Sequence, residues 1–267
     1  MSTVSKALDL LDVFTRTRAD IGLSDLARLA GVNKATCYRL MSDLAAHGFV
    51  EQTDGARSYR LGPAFLKYAA LREAAVPMKE AALPLLTALA KESGETVHVS
   101  ALVAGDLRTI AYAYSPAHAM KVMMEDADHL PFHATSSGLA VLAHMAPNAR
   151  SAVLGSPLAR RTVDTLTDPA RLKERLALIR AQGIAESAGG YEPEVSSLAV
   201  PLFDALGRVS GALAVAAPAA RLDDPHRARI RAGLCAAAPD MVRLWGGSAP
   251  QDITTLWAAT AQGKDTR

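Results

Sequence analysis

Lys34, Ala35, Thr36, Tyr38, Arg39 and Ser42 fall within nine consecutive positions, and their side chains suit the reading of duplex DNA. A lysine or arginine can pair with phosphate oxygens or with the O6 and N7 of guanine. A threonine can bond a phosphate or touch a thymine methyl, and a tyrosine can reach the backbone. If the stretch is helical, these residues lie opposite the apolar stripe Cys37, Leu40, Met41 and Leu44. Arg57 and Arg60 follow on a hairpin-like segment that would lie along the flanking minor groove or backbone. The alternative is that all these groups are merely solvated. Residues 1–62 carry eight Lys/Arg against seven Asp/Glu, so net charge alone does not decide.

A second group is Ser136-Ser137-Gly138, which opens a helical pattern. Free backbone N–H groups and the helix dipole favour a carboxylate there, although plain N-capping needs no ligand. The histidines do not form a metal site. His129 and His133 are four apart, but Pro131 between them forbids an undistorted helix. His98 falls in a strand pattern and His144 near a helix end, and both are read as ordinary surface or hydrogen-bonded histidines. Cys37 and Cys235 lack metal-ligand spacing. There is no G-x-S-x-G elbow and no phosphate-binding glycine loop. Ser136 and Ser137 near His133 are adjacent in sequence, which is not triad geometry. No catalytic residue, metal or cofactor is expected.

The elements that would position these groups are legible from periodicity and punctuation. Val4, Ala7, Leu8, Leu11 and Phe14 share one helical face. Ser24 is expected to cap a second helix ended by Gly31, and Asn33 a third ended by Gly48. The short turn between them is that of a helix-turn-helix. Phe49–Gln52 and Ser58–Leu61 then flank an Asp54-Gly55 hairpin signal, which makes a wing. Ala64–Ala75 reads as a linker helix, and about Lys79–Ser93 as another, with Pro84 as a kink or restart. Strand pairs at 96–103 with 107–114 and 197–203 with 208–216 alternate with helices at 137–144, 169–182 and 224–245.

Half the chain is hydrophobic, 21% is charged and the formal charge is +2, so any DNA contact must come from a local patch. Two distant cysteines, no signal-peptide pattern and no long apolar run predict a reduced, cytoplasmic protein without membrane contact.

The chain resembles the IclR family of bacterial transcriptional regulators. The resemblance rests on 4–11 (VSKALDLL), 31–40 (GVNKATCYRL), 48–50 with 59–62, 130–138 (LPFHATSSG) and 197–204 (SLAVPLFD), and spans roughly residues 2–245. It implies a GAF-like effector domain, with a ligand held between the sheet and the loops and short helix over one face. Carried over by position, the pocket involves Ser136, Ser137, Ser187, Ser197, Ala214 and Ala216, with Val122, Leu130 and Val195 as apolar walls. Ala214 and Ala216 stand where small-oxo-acid binders tend to carry polar groups. The strand side is therefore expected to be apolar, and the ligand to be a carboxylate with an apolar or aromatic body.

The expected architecture is α+β: a winged helix-turn-helix over 1–62, a linker helix over 63–76, a GAF-like antiparallel sheet with packed helices over 77–245, and a tail over 246–267. The expected partners are double-stranded operator DNA and a small organic-acid effector, with the chain a homodimer or homotetramer. Two rivals are an enzyme with a winged interaction module, and a regulator whose second domain only dimerises.

Overall fold

The computed structural model describes residues 2–15, 17–53, 58–124 and 128–263. The chain forms two compact units, 1–77 and 78–267. In the first, α1 (Thr3–Asp12), α2 (Leu23–Leu29) and α3 (Lys34–Ala46) pack on a small sheet of β1 (Ile21–Gly22), β2 (Val50–Gln52) and β3 (Ser58–Leu61), ordered β1-β3-β2. The core is Leu10, Leu26, Cys37, Leu40, Met41, Val50 and Tyr59, with Leu44 half-buried beside it.

The caps are local physical chemistry. Asn33 accepts from the Thr36 amide at 2.8 Å, which satisfies one of the free donors of the first turn of α3. Gly31 sits at φ +66°, a left-handed conformation costly for a residue with a Cβ. Two expectations change. Gly22, not Ser24, precedes the first turn of α2, and no side chain caps it. In α1 Leu10 is fully buried, whereas Val4 and Leu8 are 68% and 56% exposed. The Asp54-Gly55 turn and Arg57 lie outside the described residues.

Helix α4 (Ala64–Ala75) buries none of its residues. Within the first unit it packs on Phe49, which stacks on Tyr68 and meets Phe65 edge-on.

The second unit is a five-stranded antiparallel sheet ordered β5-β4-β8-β7-β6, made of β4 (Thr96–Val103), β5 (Asp106–Ala113), β6 (Ala185–Ala188), β7 (Val195–Phe203) and β8 (Val209–Pro218). Period-two alternation sorts β8 between two cores. Leu213, Val215 and Ala217 face α5 (Met78–Ser93), which runs through Pro84, and α9 (Asp224–Leu244). Ala212 and Ala214 face α6 (Ser136–His144) and α8 (Pro169–Gln182). Asp168 and Gly183 cap α8 at its two ends.

Several elements escaped the sequence reading: the short β1, β6, α7 (Pro147–Gly155), a 3-10 turn at Ala219–Arg221 and α10 (Gln251–Ala261). The supposed tail is therefore part of the fold. Trp257 of α10 is fully buried, and its Nε1 donates to the Gly183 carbonyl at 3.0 Å.

Candidate DNA-reading and effector sites

On α3, Lys34, Ala35, Tyr38, Arg39 and Ser42 are exposed and Thr36 is half-buried, on the side away from Cys37, Leu40 and Met41. Their engagements differ. The Ser42 hydroxyl donates to the Tyr38 carbonyl of its own helix at 2.9 Å. Arg39 lies 3.9 Å from Asp43 with both side chains mostly exposed, a pair too weak to hold the guanidinium from a phosphate. Arg60 is bound more closely: its Nε donates to Glu51 Oε1 at 2.6 Å across the β2–β3 ladder. A backbone contact by Arg60 has to compete with that pair.

In the second unit, a cavity of about 50 Å³ lies beneath the start of α6. The sheet register builds its floor. Thr96 pairs with Ala216, Ala216 with Ser197, and Ser197 with Ser187, so these four stand in one row across the sheet. The next row is His98, Ala214, Ala199 and Ala185. Small side chains in that row admit α6 closely. Gly138 answers a different constraint, since a Cβ there would lie 2.3 Å from the Pro131 carbonyl oxygen in the loop that precedes the helix.

Val122, Leu130, Ser136, Ser137, Ser187, Val195, Ser197 and Ala216 all line this cavity, which brings together residues from five separate stretches of sequence. Ala214 does not. It is fully buried in the core under α6, while His98, its partner across the sheet, reaches the lining. Ser187 lies in β6 rather than in a loop, and its hydroxyl donates to the Ala134 carbonyl at 2.8 Å. Ser136 and Ser137 do not cap α6. Thr135 does, accepting from the Gly138 amide at 2.9 Å. The amides of Ser136 and Ser137 are left at the open first turn of the helix, whose residues line the cavity.

The sequence reading missed His98, Met123, Met124, Ala134, Thr135, Tyr191 and Glu192 in the lining. His98 corrects the expectation of an apolar strand side. Its Nε2 lies 3.1 Å from Ser137 Oγ, and its Nδ1 is buried with no partner among the described residues. Burial pushes the imidazole down to about 4, so it is neutral at pH 7. The cover is the segment after β5. Thr96 Oγ1 donates to the Val122 carbonyl at 2.8 Å, and the Met124 amide to the Tyr114 hydroxyl at 2.9 Å.

Beside the cavity lies an open depression of about 630 Å³, which shares Val122, Met123, Tyr191, Glu192 and Val195 with it. Another cleft of about 450 Å³ is lined by Arg171 and Arg175 but also by Asp164, Glu174 and Glu186, so it presents no net trap for an anion. Among the described residues no cluster of His, Cys, Asp or Glu is arranged to hold a metal ion, and no helix is long and apolar enough to cross a membrane.

The model of the bacterial transcriptional regulator IclR C-terminal domain matches residues 72–243, and that of the IclR helix-turn-helix domain residues 3–54. The chain belongs to the IclR family. A crystal structure from Silicibacter sp. TM1040, assigned as an IclR transcriptional regulator, is 51% identical with a TM-score of 0.83, over 94% of this chain and 99% of that one. The transcriptional repressor IclR of Escherichia coli K12 is 27% identical over 256 residues, 92% of this chain and 91% of the relative. An IclR homologue from Microbacterium hydrocarbonoxydans, solved in complex with 4-hydroxybenzoate, is 26% identical with a TM-score of 0.54, over 91% of this chain and 99% of that one. This IclR-family chain is thus a transcriptional regulator with a helix-turn-helix DNA-binding domain.

Proposed function

We propose that the chain reads a pseudo-palindromic operator with α3 and that a small organic acid bound under α6 controls it. Lys34, Thr36, Tyr38 and Arg39 face the major groove, while Ala35 allows close approach. A single winged unit reads a short half-site, so symmetric pairing supplies affinity and specificity. The protein works in the cytoplasm, where its operator is, and is not an enzyme.

One observation carries the effector reading. Ser136 and Ser137, in the first turn of α6, line a partly open cavity whose other walls include Val122, Leu130, Met124 and Val195, with the exposed Glu192 also in its lining. Such a site favours a carboxylate at one end and hydrocarbon at the other. The 4-hydroxybenzoate complex of the Microbacterium homologue supports an aromatic body. At about 50 Å³ the space holds the acid group and little more, since an aromatic ring needs roughly 150 Å³. The body therefore displaces the adaptable side chains of Met123 and Met124 toward the adjoining depression.

The test is fluorescence anisotropy with DNA from upstream of the chain's own gene, paired with thermal-shift screening of aliphatic and aromatic carboxylates. A competed, sequence-specific complex is expected, together with at least one acid that raises the melting temperature and shifts the DNA-binding curve. Binding no stronger than to unrelated DNA rules out the operator reading. A flat response to every acid leaves the domain a dimerisation module.

A further inference from the structure

His98 holds a buried nitrogen that nothing among the described residues satisfies. The side chain is 5% exposed, its ring lines the effector cavity, and Nδ1 has no hydrogen-bond partner among the described residues. A buried polar atom without a partner is costly, and natural cores rarely keep one without a use. An apolar residue in this row would pack without that cost, as Ala214, Ala199 and Ala185 do.

The ring's other nitrogen is already engaged, with Nε2 against Ser137 Oγ. A neutral imidazole has one N–H and one lone pair. If Nε2 donates to Ser137, Nδ1 is a bare acceptor. If Ser137 donates to Nε2, Nδ1 carries the hydrogen. In both tautomers one hydrogen-bonding atom of this cavity-lining ring is left without a partner among the described residues. We propose that His98 is a specificity-determining residue, whose Nδ1 pairs with a second polar group on the effector, so that the chain selects a hydroxylated acid over its unhydroxylated parent. This rests on the effector reading above and narrows its ligand class. A hydroxyl both donates and accepts, so it satisfies Nδ1 in either tautomer, as a carbonyl oxygen or an ether oxygen cannot.

The experiment is isothermal titration of the full-length protein with matched pairs: benzoate against its 2-, 3- and 4-hydroxy derivatives, and propionate against lactate. In the wild type at least one hydroxy acid should bind at least about tenfold tighter than its parent, the discrimination expected when the parent leaves a buried polar atom unpaired. Two variants separate reading from packing. His98→Asn places a polar atom near the position of Nδ1 and should keep much of the preference. His98→Gln places one near Nε2, keeps a partner for Ser137, and should reduce the preference to within about threefold. Operator binding without ligand should be unchanged in both and reports that each is folded. Equal wild-type binding of every hydroxy acid and its parent overturns the role of His98 while leaving an acid effector in place. So does a preference that survives in His98→Gln. No binding by any acid in the set overturns the effector reading and this inference with it.

Discussion

Ala216 and Ala214 are two positions apart on one strand, and the cavity separates them. Ala216 lines it, whereas Ala214 is packed under α6. Ala216→Leu should therefore fill the floor and remove the melting-temperature rise produced by an acid, while leaving operator binding intact. Ala214→Leu should act through overpacking and cost about 1–3 kcal/mol of stability whether or not ligand is present. Thermal melts of both variants with and without acid check this, and the reverse pattern would move the cavity by one row. His98 adds a pH dependence. Its folded value of about 4 lies below the ordinary 6.5, so between those values the unfolded chain binds a proton that the folded chain refuses. This contribution to stability is complete above about pH 6.5 and is lost as pH falls toward 4. Urea midpoints measured from pH 7 to pH 4.5 should fall less steeply in His98→Gln. A residual slope is expected from His144, which burial also pushes down.

At the scale of the element, α3 divides its residues by face. Arg39→Ala should weaken operator binding by about 1–3 kcal/mol and leave the fold intact. Leu40→Ala removes a side chain from the closed core and should cost roughly 2–5 kcal/mol of stability. Circular dichroism beside anisotropy separates the two, and full-strength binding by a folded Arg39→Ala protein would take α3 out of its assigned role. This helix was legible in the sequence because its signals are local: Asn33 at one end, a glycine beyond the other, and an apolar stripe between. Other elements lacked such signals. Helix α7 buries only Leu154, so it has no stripe to detect, and β6 is four residues long. In α10, Ile253 and Trp257 anchor a segment whose purpose is visible only against Gly183. Eight positions of the cavity lining were named through resemblance. His98 was not, because its place depends on the register of β4 against β8 and on Ser137 of α6, none of which is written near residue 98.

At the scale of the molecule, assembly is tested on α4. Leu66, Leu71 and Tyr68 are 76%, 56% and 50% exposed on a helix with no buried residue. Large apolar side chains left in water on one helix make it a candidate interaction surface. Sedimentation velocity at micromolar concentration should show a dimer or tetramer, and Leu66→Glu combined with Leu71→Glu should shift it toward monomer and weaken operator binding. A wild-type chain that stays monomeric with and without DNA would remove the symmetry from the operator model.

The strand order of the larger sheet also has a consequence for synthesis. β4 pairs with β5 directly after it, but its other edge pairs with β8, over a hundred residues later. While the chain leaves the ribosome, residues 1–77 form a compact unit of their own and can close early, whereas the hairpin of β4 and β5 keeps one open edge until β8 emerges. Open edges recruit other strands, so this interval is the one in which a nascent chain is most exposed to aggregation. A slow codon run or a stalled ribosome between α6 and β8 would hold a finished DNA reader tethered to an unfinished sensor.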